Sequence, residues 1–111
     1  MTLVERAKGF QGCLRERAAE IETARRLPPD LARQFAEAGF MRQCVPSEYG
    51  GGETDPITLT RTIETLAEAD GAAAWCVMIA ATSGVTAAYM PPSVAREIYG
   101  DPLAITGGVF A

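Results

Sequence analysis

Residues 70–92 read Asp70-Gly71-Ala72-Ala73-Ala74-Trp75-Cys76-Val77-Met78-Ile79-Ala80-Ala81-Thr82-Ser83-Gly84-Val85-Thr86-Ala87-Ala88-Tyr89-Met90-Pro91-Pro92, with no charge over the twenty residues from Gly71 to Met90. That length would allow a membrane span. The run is rich in Ala, Gly, Ser and Thr and poor in Leu, Ile and Phe. Asp70 precedes it, and the next basic residue is Arg96. Membrane spans favour large aliphatic side chains and basic flanks. A helix that is apolar all round and built of small residues instead fits the centre of a soluble bundle. Asp70 is the expected cap at its start, and Pro91-Pro92 the expected stop.

On the N-terminal side, Asp55-Pro56 predicts a helix start, with Asp as cap and Pro in the first turn. Leu59, Ile63, Leu66 and Ala67 form its expected buried stripe, with Arg61, Glu64 and Glu68 outside. Met41 to Asp55 is the longest irregular stretch and holds Gly50-Gly51-Gly52. Lacking GK[ST] and GxGxxG, it reads as a flexible turn and not as a phosphate loop. A short helix over Pro29–Ala38 points Leu31 and Phe35 inward. Gly39 is its expected left-handed terminator, with Phe40 folding back on Phe35. The first helix, Leu3–Arg26, places Leu3, Ala7, Phe10, Leu14 and Ile21 on one face. Thr2 and Glu5 suggest a capping box, and Glu22 and Arg26 a surface ion pair.

On the C-terminal side, Ser93–Tyr99 reads as a fifth helix capped by Ser93 and ended by Gly100. Leu103–Ala111 has strand composition but no partner strand upstream. The expectation is an all-α bundle of about five helices over residues 1–102. Residues 103–111 are then the start of a β domain that the chain does not contain.

The totals narrow the function classes. The 111 residues suffice for one domain, with 48% hydrophobic and 22% charged residues and a net charge of −4. No basic footprint for nucleic acid is visible. The three cysteines, Cys13, Cys44 and Cys76, are widely spaced, and there is no His. No disulfide framework, zinc site or metal centre is expected, and the thiols read as small buried groups in a reducing compartment. Met1–Lys8 has no apolar signal-peptide region. No catalytic constellation is present. A stand-alone helical interaction module is the competing class.

Four stretches carry a resemblance. Leu27-Pro28-Pro29-Asp30-Leu31 with Glu37-Ala38-Gly39-Phe40 is similar to a "P-x-x-L … E-x-G-(L/F)" second helix. Val45-Pro46-Ser47-Glu48-Tyr49-Gly50-Gly51 matches a "V-P-x-E-Y-G-G" loop, the most specific of the four. Glu64-Thr65-Leu66-Ala67-Glu68-Ala69-Asp70-Gly71 resembles a junction between third and fourth helices. Arg96-Glu97-Ile98-Tyr99-Gly100-Asp101-Pro102 resembles the lead into the first β segment. Together they resemble the N-terminal domain of the acyl-CoA dehydrogenase superfamily, which includes flavin-dependent monooxygenases.

The resemblance implies a longer flavoprotein oxidoreductase with a middle β domain and a C-terminal four-helix bundle. FAD, or reduced FMN or FADH2, would be held mainly by those other domains. A homotetramer, a cytoplasmic location and a small-molecule substrate are also implied. The N-terminal domain would form one wall of the substrate pocket, and the dehydrogenases' catalytic glutamate lies outside it. Asp70-Gly71-Ala72-Ala73-Ala74-Trp75 resembles the "D-x-S-x-x-W" form of the monooxygenase branch, although Ala72 stands where Ser is usual. That branch uses reduced flavin from a separate reductase to oxygenate an aromatic, heterocyclic or heteroatom substrate. The alternative branch oxidises the α,β C–C bond of an acyl-CoA. Trp75 either fills a core gap or projects into the pocket. Met78 and Ile79, at +3 and +4, are expected on the same wall.

Overall fold

Thr2 and Glu5 set the first helix. The Thr2 hydroxyl accepts from the Glu5 N–H at 3.1 Å, and the Glu5 carboxylate accepts from the Thr2 N–H at 2.7 Å. In the computed structural model, which describes residues 1–108, helix α1 then runs Leu3–Ala24 and ends at Arg25 in the left-handed region (φ 56°). Arg26 therefore lies beyond the helix, and the expected pair with Glu22 does not form. Arg17 instead bridges Glu20 and Asp30, and Arg33 pairs with Glu37.

Helix α2 spans Pro29–Glu37, followed by Gly39 at φ 86° and a 3₁₀ turn Phe40–Arg42. Phe10, Phe35 and Phe40 meet edge to face, with centroids 5.1–5.6 Å apart. This is the favoured geometry for aromatic rings. Asp55 caps α3 (Pro56–Ala69) through the Thr58 N–H at 2.9 Å. Asp70 caps α4 (Gly71–Ser83) through the Ala73 N–H at 2.8 Å. Helix α5 spans Pro92–Tyr99. Helices α1 and α3 pack most extensively, with α4 laid against α3.

Five further expectations need correction. The uncharged run is not one helix: α4 stops at Ser83, and Gly84–Tyr89 tightens into a 3₁₀ segment. At 19 residues and mean hydropathy 1.4, Gly71–Tyr89 has the length and composition of a membrane span. Here five α4 residues, including Ala73, Val77 and Ala81, are buried in the protein's own core. Second, Ala67 is exposed, while Thr62 and Thr65 are buried in its place. Both hydroxyls donate to the carbonyl four residues back at 2.7 Å, so neither is buried unpaired. Third, Ser93 is not a cap, because α5 already begins at Pro92.

Fourth, the glycine run is not a flexible turn. The N–H groups of Gly50, Gly51 and Gly52 bond to the carbonyls of Ser47, Pro46 and Arg42. Glu53 and Thr54 bond back to Val45 and Gln43. Fifth, Leu103–Gly108 forms no strand: a turn at residues 101–103 is closed by Asp101, and the chain is then irregular. Without a neighbouring strand, an isolated strand has no ladder to join. No strand occurs among the described residues. Residues 109–111 of that expected strand lie outside them.

Two apolar clusters result. The larger joins α1–α4 around Leu14, Leu31, Phe35, Phe40, Leu66 and Val77. The smaller gathers Val45, Tyr49, Ala87, Ala95 and Tyr99.

Several carboxylates are held below their usual range. Thr2 hydrogen bonds lower Glu5, Thr58 lowers Asp55, and the Arg17 guanidinium lowers Asp30 and Glu20. A lowered folded-state pKa contributes stability that is full above the unfolded value and lost as pH falls through the folded one. Thermal unfolding is expected to show little change in Tm between about pH 6 and 8, where there is no His to titrate, and a fall below about pH 4. A Tm that stays flat to about pH 3 would show that these bonds contribute nothing.

Candidate functional site: a groove along helix α4

The sequence of α4 divides it into two sides. Ala73, Ala74, Val77, Ala80 and Ala81 face the core. Gly71, Ala72, Trp75 and Thr82 face outward. Trp75 is 64% exposed and so does not fill a gap in the core of the described residues. An exposed indole beside other apolar side chains marks a surface with a partner or ligand to meet.

Two adjoining cavities open along this side. One, of about 740 Å³, lies between Trp75, Cys76, Ile79 and Ala80 and the chain from Ile105 to Gly108. The other, of about 640 Å³, lies between the end of α4, the Gly84–Tyr89 segment and α5. Ile79, Thr106, Gly107 and Gly108 line both. Both are predominantly apolar, as ligand pockets are. Trp75 and Ile79 thus share a wall, while half-buried Met78 lines neither cavity.

The polar content of this groove is hydroxyl. Ser83 Oγ and Thr106 Oγ1 are 2.7 Å apart, and Tyr99 Oη is 3.1 Å from Thr106 Oγ1. Tyr99 is itself clamped: the buried Arg42 guanidinium donates to its carbonyl and lies 5.2 Å from its ring centre. Ser83 could have been found by helical spacing, four residues after Ile79. Tyr99, Thr106 and Arg42 reach their partners only through the fold and carry no local signal.

The chemistry available is binding. All three cysteines are half-buried and unbridged. Burial pushes the Cys44 thiol up; burial and then the Asp70 charge push up Cys76. Neither is an activated thiolate. Among the described residues no group of three His, Cys, Asp or Glu could hold a metal ion. The N–H groups of the Gly50–Gly52 run are all spent on backbone carbonyls, so that loop offers no phosphate cradle.

Residues 5–93 match the family model of the acyl-CoA dehydrogenase N-terminal domain, and the chain belongs to that family. Among its relatives is the flavin-dependent monooxygenase oxygenase subunit HsaA of Rhodococcus jostii RHA1. It is 29% identical over 98 residues, covering 88% of this chain and 26% of its own. Indole-3-acetate monooxygenase of Pseudomonas putida is 34% identical over 98 residues, covering 86% and 25%. The crystal structure of 3-HSA hydroxylase from Rhodococcus sp. RHA1 superposes with a TM-score of 0.87 at 27% identity, over 95% of this chain and 28% of that one. The chain spans about a quarter of the length of the curated relatives it matches.

Proposed function

We propose that this chain is the N-terminal domain of a two-component flavin-dependent monooxygenase, and that its α4 groove forms one wall of the substrate pocket. The observation that carries the reading is the open apolar groove, set in a fold that superposes on a hydroxylase. Trp75 and Ile79 form the wall, with Met78 between them in sequence on the same helix. The substrate is a small aromatic or heterocyclic compound. The flavin, FAD or FMN supplied in reduced form by a separate reductase, is held mainly outside residues 1–108. When bound it supplies the activation of oxygen. This chain's residues confine the substrate and exclude water from it. The whole enzyme is read as a cytoplasmic homotetramer with residues 1–102 as its helical domain and a β domain beginning near Leu103.

The test uses full-length protein, reduced flavin and ¹⁸O₂ with a panel of phenols and indoles. A hydroxylated product carrying ¹⁸O supports the proposal. Anaerobic oxidation of an acyl-CoA to its enoyl form, without oxygen insertion, would assign the dehydrogenase activity instead.

Trp75→Phe separates wall from core in the same protein. An exposed side chain contributes little packing, so Tm should change by no more than about 2 °C. KM for the aromatic substrate should rise, by roughly threefold to tenfold for a lost ring contact of about 1 kcal/mol. A large fall in Tm with unchanged kinetics would remove Trp75 from the wall.

A further inference from the structure

Five hydroxyl side chains line the groove: Thr82 and Thr86 donate to the Met78 and Ser83 carbonyls, and Ser83, Thr106 and Tyr99 form a cluster with one direction of donation. Ser83 Oγ lies 2.9 Å from the Ala80 carbonyl, which can only accept, so the one Ser83 proton is committed there. Towards Thr106 Oγ1, Ser83 can then only accept, and Thr106 donates. Towards Tyr99 Oη, Thr106 can only accept, and Tyr99 donates. The chain runs from Tyr99 to Thr106 to Ser83 to the Ala80 carbonyl. Every hydroxyl proton in it is spent. What the cluster still has to offer a ligand is lone pairs.

The geometry points to Thr106, with Ser83 and Tyr99 holding it, as a specificity-determining acceptor that selects a ligand through a neutral O–H or N–H group. A phenol or a ring N–H meets a waiting lone pair there. A phenolate or carboxylate meets lone pairs with no proton between. Among the described residues lining the two cavities there is no Lys or Arg to pair with such an anion. Burying an unpaired charge is far more costly than burying a hydrogen-bonded neutral group. Arg42 lines a separate cavity with Glu48 and Arg96, and acts on the groove by fixing Tyr99. This inference rests on the pocket-wall reading above and adds the protonation state and the polar handle of what the pocket takes.

The experiment measures binding to the full-length protein by isothermal titration, using phenol against anisole and indole against 1-methylindole. The Thr106→Val and Thr106→Ser variants are titrated in parallel, with Tm recorded for each. In Thr106→Val, phenol and indole should lose about tenfold in affinity while the two methylated probes are unchanged, as for one lost hydrogen bond. Thr106→Ser should keep the parent's preference. Binding of 4-nitrophenol should weaken as pH rises through that ligand's own pKa. Equal loss for all four probes in Thr106→Val, an unchanged preference, or tighter binding of the nitrophenolate would each overturn the inference. Should the enzyme insert oxygen into methylated and unmethylated probes with equal KM, this inference fails and the proposed function stands. If none of the probes binds and no oxygen is inserted, both fail.

Discussion

Gly51→Ala is expected to destabilise the protein by about 3 kcal/mol or more, at the upper end of what overpacking does. The reason is local. A Cβ at Gly51 would stand 2.0 Å from the Val45 carbonyl oxygen and 2.4 Å from its carbonyl carbon. Those are backbone atoms, so no rotamer change relieves the clash. The backbone cannot easily retreat either, because Gly52, Glu53 and Thr54 are bonded to Arg42, Val45 and Gln43. For a domain of this size the loss corresponds to a fall in Tm of about 12–24 °C. Gly50→Ala tests a different cost, the left-handed backbone at φ 82°, and should lose less, about 1–2 kcal/mol. Thermal unfolding of both variants beside the parent checks the order. A Gly51→Ala Tm within about 3 °C of the parent would show that the loop can shift after all.

Phe35→Ala should have an effect of similar size, about 3–5 kcal/mol. Phe35 is fully buried and meets both Phe10 and Phe40 edge to face. Its removal leaves a void bounded by α1, α2 and the Phe40–Arg42 turn. Rigid rings on two sides fill such a void poorly. Phe10→Ala, at a half-buried position on the same cluster, should cost clearly less. Chemical denaturation reads both, with the shift in midpoint at constant slope reporting stability. Equal losses at the two positions would show that the ring cluster, and not the burial of Phe35, sets the cost.

These two positions also show what could be read from the chain alone. The Phe35–Phe40 contact follows from Gly39, whose left-handed backbone folds the chain back over a distance of a few residues. The caps at Thr2, Asp55 and Asp70 are equally local, and the helix starts follow from them. The end of α4 was hidden because hydropathy does not change at Gly84. What changes there is packing: a Cβ at Gly84 would lie 2.6 Å from Val45 Cγ2, so the helix end meets the glycine loop. Thr62 and Thr65 are missing from the expected stripe because their bonds to helix carbonyls are invisible to a hydropathy scale. The groove was half legible. Trp75 and Ile79 share one helix face and could be paired by spacing; the same spacing adds Met78, which lines neither cavity. Thr106 and Tyr99 join Ser83 only because residues 101–108 turn back onto α4, an event with no local cause in the sequence.

The groove lies along the boundary between the two apolar clusters. Ile79 belongs to α4, whose buried side is part of the larger cluster, whereas Tyr99 belongs to the smaller one. The Arg42 tie crosses that boundary: Arg42 follows Phe40 and Met41 of the larger cluster, and its guanidinium holds the carbonyl and ring of Tyr99 in the smaller one. The contact that fastens the end of α5 therefore also sets the spacing of the two walls of the groove.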